Sequence, residues 1–132
     1  MIQLSVRYKT ITIDKRWAVC PRCGEDGRRH CLGKRWLNDA NREIPVVIRV
    51  TYTKHHCTRC KKKFNVDMTH LAPKGSWYTN EVWFLALERM IDDRLTLDET
   101  RKTLLKRHHV DVPISTLHTW FLEANGSKRR RH

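Results

Sequence analysis

The stretch VVIRVTYTKHHCTRCKKKF, from Val46 to Phe64, runs an alternating segment straight into a cysteine turn. Val46, Ile48, Val50 and Tyr52 fall on one side of an extended chain, with Arg49 and Thr51 on the other, because successive strand side chains point to opposite faces. The strand then meets Cys57-Thr-Arg-Cys60, and upstream Cys20-Pro-Arg-Cys23 repeats the same form ahead of Gly24. Each tight turn offers two thiolates, half of a tetrahedral site. Cys20, Cys23, Cys57 and Cys60 are therefore expected to hold one Zn2+. Four thiolates leave no open position for water or substrate, so the expected ion is structural. The 33 residues between Cys23 and Cys57 exceed the interval of a small zinc finger and suit a ribbon, where strands and an insertion separate the turns.

The cysteine count is five, which is odd, and no export signal precedes the pairs; both features favour metal in a reducing compartment over disulfides. Cys31 is left over and is expected to be a small strand or core residue. His30, His55 and His56 lie close to the cysteine turns and are expected on the surface or facing phosphate; a site using one of them with three cysteines is the lesser alternative.

Length and charge narrow the class. At 132 residues the chain is one domain or two very small ones, and 39% hydrophobic residues is little for a single large core, so metal binding is expected to supply folding free energy. Lys and Arg number 27 against 14 Asp and Glu, a net charge of +13, which points to an anionic polymer and first to nucleic acid. The charge is uneven: residues 1–78 carry net +11, residues 79–125 net −2, and residues 126–132 net +4. No apolar run approaches the roughly 18 residues that span a bilayer, and MIQLSVRYKTITIDK alternates rather than forming a signal-peptide core. The expectation is a cytoplasmic, nucleoid-associated protein with no membrane partner.

The organisation follows from periodicity. Residues 1–67 read as a β-rich ribbon, with Ile2, Leu4, Val6 and Tyr8 sharing one strand face, and with turns and loops around Gly24, Gly27, Gly33 and residues 38–43. Residues 68–78, with Pro73 and Gly75, read as a linker. From Thr79, an expected N-cap, the period lengthens to that of a helix, whose stripe is Trp83, Phe84, Leu87, Met90 and Ile91. Thr96-Leu97-Asp98-Glu99 has the form of a capping box opening a second helix with Leu97, Leu104 and Leu105 inward. After a break at His108–Pro113, Ser115 or a neighbour is expected to cap a third helix ending near Gly126, before a basic tail at 127–132. The expected fold class is α+β: an N-terminal β-rich four-cysteine zinc ribbon followed by a three-helix helix-turn-helix bundle over 79–126.

In a helix-turn-helix the second helix of the pair enters the major groove. On the third helix Ile114, Leu117, Phe121 and Ala124 are expected inward, with Trp120 at the edge. Ser115, Thr116 and Thr119 point outward with His118 on a flank, and these are the expected base readers. Phosphate contacts are expected from Arg22, Arg59, Lys61 and Lys62 of the ribbon, Arg101 and Lys102 of the second helix, and Arg129 and Arg130 of the tail. An amphipathic triplet alone equally describes a plain three-helix bundle.

Taken together, CPRCG at Cys20, the Val46–Phe64 stretch, WYTNEVWFLALERM from Trp77 and ISTLHTWF from Ile114 resemble the amino-terminal zinc ribbon plus helix-turn-helix region of bacterial and archaeal insertion-sequence transposases. They also resemble the small insertion-sequence regulators built from the same parts. The likeness covers roughly residues 18–124, with Phe64 and the Ser115, Thr116, Trp120 spacing as its finer marks. It implies recognition of the terminal inverted repeats of a mobile element, the four cysteines ligating zinc and the helix from Ser115 reading the site. A second copy of the chain or a transposase would be the protein partner. No nuclease fold follows Gly126 in this sequence, so the expectation is either a stand-alone binder or regulator or the DNA-binding arm of a larger transposase, and not an enzyme by itself.

Two other readings stand beside it. In one, the ribbon grips RNA and Trp36, Trp77 or Tyr78 stack on bases. In the other, the helical half docks a protein through exposed Val82 and Leu122.

Overall fold

The computed structural model describes residues 5–129, with side chains as far as 125. It is an α+β chain, with a β-rich N-terminal region followed by three helices. Five strands, β1 (Arg7–Ile13), β2 (Trp17–Val19), β3 (Asp26–Asp39), β4 (Val46–Cys57) and β5 (Lys63–Asn65), precede α1 (Asn80–Leu87), α2 (Leu97–His108) and α3 (Ile114–Arg129). The sheet order is β1-β4-β3-β2, with β5 pairing the far end of β4.

β4 is central, and its even positions form the core as expected: Val46, Ile48, Val50 and Tyr52 are buried with Leu37, Val66, Met68 and Ala72. The β1 alternation has the opposite phase from the one expected. β1 runs parallel to β4 with Ile11 beside Val50 and Ile13 beside Tyr52, so its odd positions share the buried face. Val6 and Tyr8 are exposed, while Ile2 and Leu4 lie outside the described residues.

Gly27 and Gly33 are not loop residues but interior positions of β3. Aromatic rings cross the strand there: a Cβ on Gly27 would lie 2.5 Å from the Phe64 ring, and one on Gly33 would lie 2.6 Å from the Tyr52 ring. A glycine's missing side chain favours a turn when only its neighbours in sequence matter, whereas here it makes room for a ring from another strand. The register slips between Arg29 and Cys31, and Cys31 is an exposed strand residue.

Residues 68–78 pack rather than dangle, since Met68 and Ala72 belong to the sheet core. The β3–β4 turn reaches the helices: Asn41 N donates to His108 O at 2.9 Å, and the Thr79 hydroxyl donates to Asp39 at 2.7 Å. Thr79 is the N-cap of α1, yet its side chain is spent on this tie to the sheet instead of on the helix.

A second core gathers Val82, Ala86, Met90, Leu104, Val110, Val112, Leu117 and Trp120. The buried stripe of the first helix is thus Val82, Ala86 and Met90, at i, i+4 and i+8. Phe84 and Ile91 are exposed, and Val82 is fully buried instead of exposed. A π-helical turn over Glu88–Asp92 ends this helix, with Asp93 N bonded to Glu88 O.

The capping box at Thr96 forms as read: the Thr96 hydroxyl accepts from Glu99 N at 3.1 Å, and Glu99 accepts from Thr96 N at 3.0 Å. Inward from it lie Leu97, Thr100 and Leu104, whereas Leu105 is exposed, one position off the stripe. The third helix begins one residue earlier than Ser115. The carbonyl of Pro113 accepts from Thr116 N and Leu117 N, a proline being well suited to a helix start because its missing N–H has no partner there anyway. Ile114 is exposed, Trp120 is in the core rather than at its edge, and α3 continues past Gly126 to Arg129.

Candidate metal centre and cationic surfaces

The two cysteine turns are built alike. Cys20 N donates to Glu25 O at 2.8 Å, and Cys57 N donates to Lys62 O at 2.9 Å, so each turn is closed by the residue five positions on. Gly24 and Lys61, each just after its second cysteine, both have positive φ, at 79° and 58°. β3 and β4 bring the turns together, Gly27 being paired with Cys57.

Cys20 and Cys57 are buried and Cys23 and Cys60 half-buried, with all four Sγ atoms within 4.8 Å of one another. Cys23 and Cys57 sulfurs are 3.4 Å apart and those of Cys20 and Cys60 3.7 Å, too far for disulfides. A tetrahedral ion with metal–sulfur bonds of about 2.3 Å needs sulfurs about 3.8 Å apart, and the Cys20–Cys60 separation of 3.7 Å is near that value, the Cys23–Cys57 separation of 3.4 Å somewhat shorter. The four cysteines are thus placed to hold one metal ion.

Electrostatics divides the thiols into two kinds. In Cys20, donation from the Arg22 and Cys23 backbone N–H groups lowers the pKa. In Cys57 the Cys60 backbone N–H does the same, bringing it to about 7. The Glu25 N–H pulls Cys23 down as well, but hydrogen bonding to Cys57 and burial prevail and push it up to about 11. Cys60 is raised, burial and its thiol neighbours outweighing the Lys62 N–H. In each turn the first thiol is thus shifted toward the thiolate and the second toward the thiol, and metal binding, which needs deprotonated cysteines, would release protons.

His55 is a buried structural residue, not a surface one. Its Nδ1 pairs with Gly27 O at 3.1 Å, its Nε2 with the Thr53 hydroxyl at 2.9 Å, and its ring stacks on Phe64. Both nitrogens are engaged, so it supports the sheet beside the metal turns without being a ligand.

The cations read as phosphate contacts differ in their engagements. Arg22, Lys61 and Lys62 are exposed on the cysteine turns and have no ion pair among the described residues. Arg59 pairs with Glu25 at 3.3 Å. Lys102 pairs with Asp98, and Arg101 is held by both oxygens of Asp111. Arg129 lies on the α3 backbone and Arg130 lies outside the described residues.

On α3, Ser115, His118 and Thr119 are exposed and Thr116 is half-buried. The Thr119 hydroxyl donates to Ser115 O at 3.0 Å, so toward a further partner it can act as an acceptor. α2 closes at His109, in the left-handed region, and the segment to α3 buries Val110 and Val112. Of the aromatic residues read as base-stacking, Trp36 and Trp77 are exposed. Tyr78 instead packs edge-on against Trp120 and donates its hydroxyl to Asp111 O. Leu122 is exposed as expected. Among the described residues no helix is long and apolar enough to cross a membrane.

Comparisons with protein-family models, with curated proteins and with solved structures found no match.

Proposed function

We propose that the chain is a duplex-DNA-binding protein whose four-cysteine centre holds structural zinc. Its helix from Ile114 reads base edges and its ribbon grips phosphates. The observation that carries this reading is the placement of Arg22, Lys61 and Lys62, exposed on the metal turns themselves with no ion pair among the described residues. A metal that fixes such turns also fixes a cationic surface, and phosphate attraction supplies most non-specific affinity. Ser115, His118 and Thr119 then face outward as the readers, small enough for base edges to approach. Zinc is the ion proposed because a closed four-thiolate tetrahedron suits it. The role is binding rather than catalysis, and the resemblance to transposon-end binders and their regulators supplies the proposed biological setting.

The test is selection from a randomised duplex pool at moderate salt. The proposal predicts enrichment of one motif, altered base preference for Thr119→Ala, and uniformly weaker binding with a salt slope reduced by about one for Lys62→Ala. A pool that stays random overturns the sequence-reading part of this account.

A further inference from the structure

A cleft of about 1700 Å³ opens on the sheet beside the metal turns, bounded by β2, the ends of β3 and β4, and residues 62–77. Small-molecule sites occupy about 300–1,000 Å³, so this one has room for a length of polymer. Its chemistry is one-sided. Lys15, Arg22, Lys54, Lys62, Lys63 and Lys74 line it, and none of them makes an ion pair among the described residues. Asp67 is the one acid on its wall, and its Oδ1 accepts from the backbone N–H and hydroxyl of Thr69, so a single negative charge faces six cations.

Three exposed indoles border the same space, and Trp36 among them is engaged edge-on by Tyr8 and by the Arg49 guanidinium 5.9 Å from its ring. Trp17 and Trp77 are 52% and 74% exposed, although indole is among the side chains most favoured by burial. The wall beneath Trp77 is fixed: the Arg35 guanidinium donates to the carbonyls of Pro73 and Ser76, and Asn38 N donates to Trp77 O at 2.8 Å. Exposed indoles on a fixed wall, surrounded by unpaired lysines, are what an unpaired nucleotide strand requires. Bases stack on the rings while the backbone lies among the cations. A duplex hides its base faces and cannot use the tryptophans, and an apolar protein partner would leave six cations without counter-charge.

We propose that this cleft binds single-stranded nucleic acid, with bases stacked on Trp17 and Trp77 and phosphates held by Lys54, Lys63 and Lys74. This is a second binding mode, carried by the ribbon and independent of base reading by α3.

The experiment uses the zinc-loaded full chain and labelled oligothymidine, oligouridine and a random duplex, each of about 12 nucleotides per strand, followed by fluorescence anisotropy. The expected result is binding of single strands that weakens at least about fivefold in Trp17→Ala and in Trp77→Ala, with duplex affinity and zinc content unchanged. Restored binding in Trp17→Phe and Trp77→Phe would identify stacking as the cause. An added oligodeoxyuridine arm, which differs from oligouridine only in the 2′-hydroxyl, names the sugar. Single-strand affinity that survives the doubly substituted Trp17→Ala, Trp77→Ala chain overturns the proposal, as does affinity absent from the unaltered protein. Because the duplex arm is read separately, failure here is distinguishable from failure of the duplex-reading account.

Discussion

Gly24 and Lys61 occupy equivalent positions in the two cysteine turns, each directly after the second thiol and each with positive φ. For glycine this costs nothing sterically; for lysine, Cβ crowds the following carbonyl, at a cost of about 1 kcal/mol. Lys61→Gly should therefore stabilise the zinc-loaded protein by up to about 1 kcal/mol in chemical denaturation. It should at the same time weaken nucleic-acid binding, since a cation is lost. Destabilisation would contradict the strain assigned to Lys61, and unchanged affinity would remove it from the proposed contact surface.

Gly27 allows the Phe64 ring to lie across β3 and stack on His55. Adding one methyl group at Gly27 places it 2.5 Å from ring carbons, so Phe64 must leave its position over the histidine. Gly27→Ala is expected to cost about 1–3 kcal/mol in a urea melt, the usual range for overpacking. The same substitution at Gly24, where nothing lies within 4 Å, meets no such wall and acts through its positive φ alone.

Arg101 and Asp111 form a two-oxygen ion pair across the junction of α2 and the segment leading to α3, at 2.8 and 3.1 Å. It holds the Asp111 carboxyl below its usual pKa. Both partners are substantially exposed, so Asp111→Ala should cost only about 0.5–1 kcal/mol of thermal stability. It should also free Arg101 for phosphate, so duplex affinity measured at low salt is expected to rise slightly. Unchanged affinity would mean that the arginine does not face the bound strand.

His108, at the end of α2, has its pKa lowered by partial burial and by the nearby Arg89 and Arg42. The neutral ring is favoured in the folded state, while the unfolded chain takes up its proton near the ordinary 6.5. The stability this contributes is complete above that pH and is lost as pH falls from there through the lower folded value. Thermal melts of the wild-type chain should show a drop in midpoint below about pH 6.5 that is smaller in His108→Gln. Equal slopes for the two proteins would assign the acid sensitivity elsewhere.

The sequence was legible where one residue type has one use. Cysteine pairs at fixed spacing located the metal centre, the β4 alternation located the sheet core, and Thr96 with Glu99 located a helix start. It was misread where a residue type serves two purposes. Gly27 and Gly33 are strand positions because distant rings, Phe64 and Tyr52, need the space, and local sequence does not reveal such crossings. The phase of β1 depends on its parallel pairing with β4, a partner some forty residues away. On α1, Phe84 looked like core by hydrophobicity, yet the register set by Thr79 and Asp39 turns Val82 and Ala86 inward. The cleft was only partly legible: Trp77 and Lys62 stood out, whereas Trp17 and Lys54 join it through β-sheet pairing and Lys74 through the packing of residues 68–78 on the sheet.

The central claim is that the four cysteines hold zinc and that zinc holds the surface that meets nucleic acid. The most direct test follows zinc release by a chelator and nucleic-acid affinity in the same titration, with zinc added back at the end. The account predicts one zinc per chain, affinity lost in step with its release, and recovery on its return. Affinity that persists after the zinc has left would contradict it.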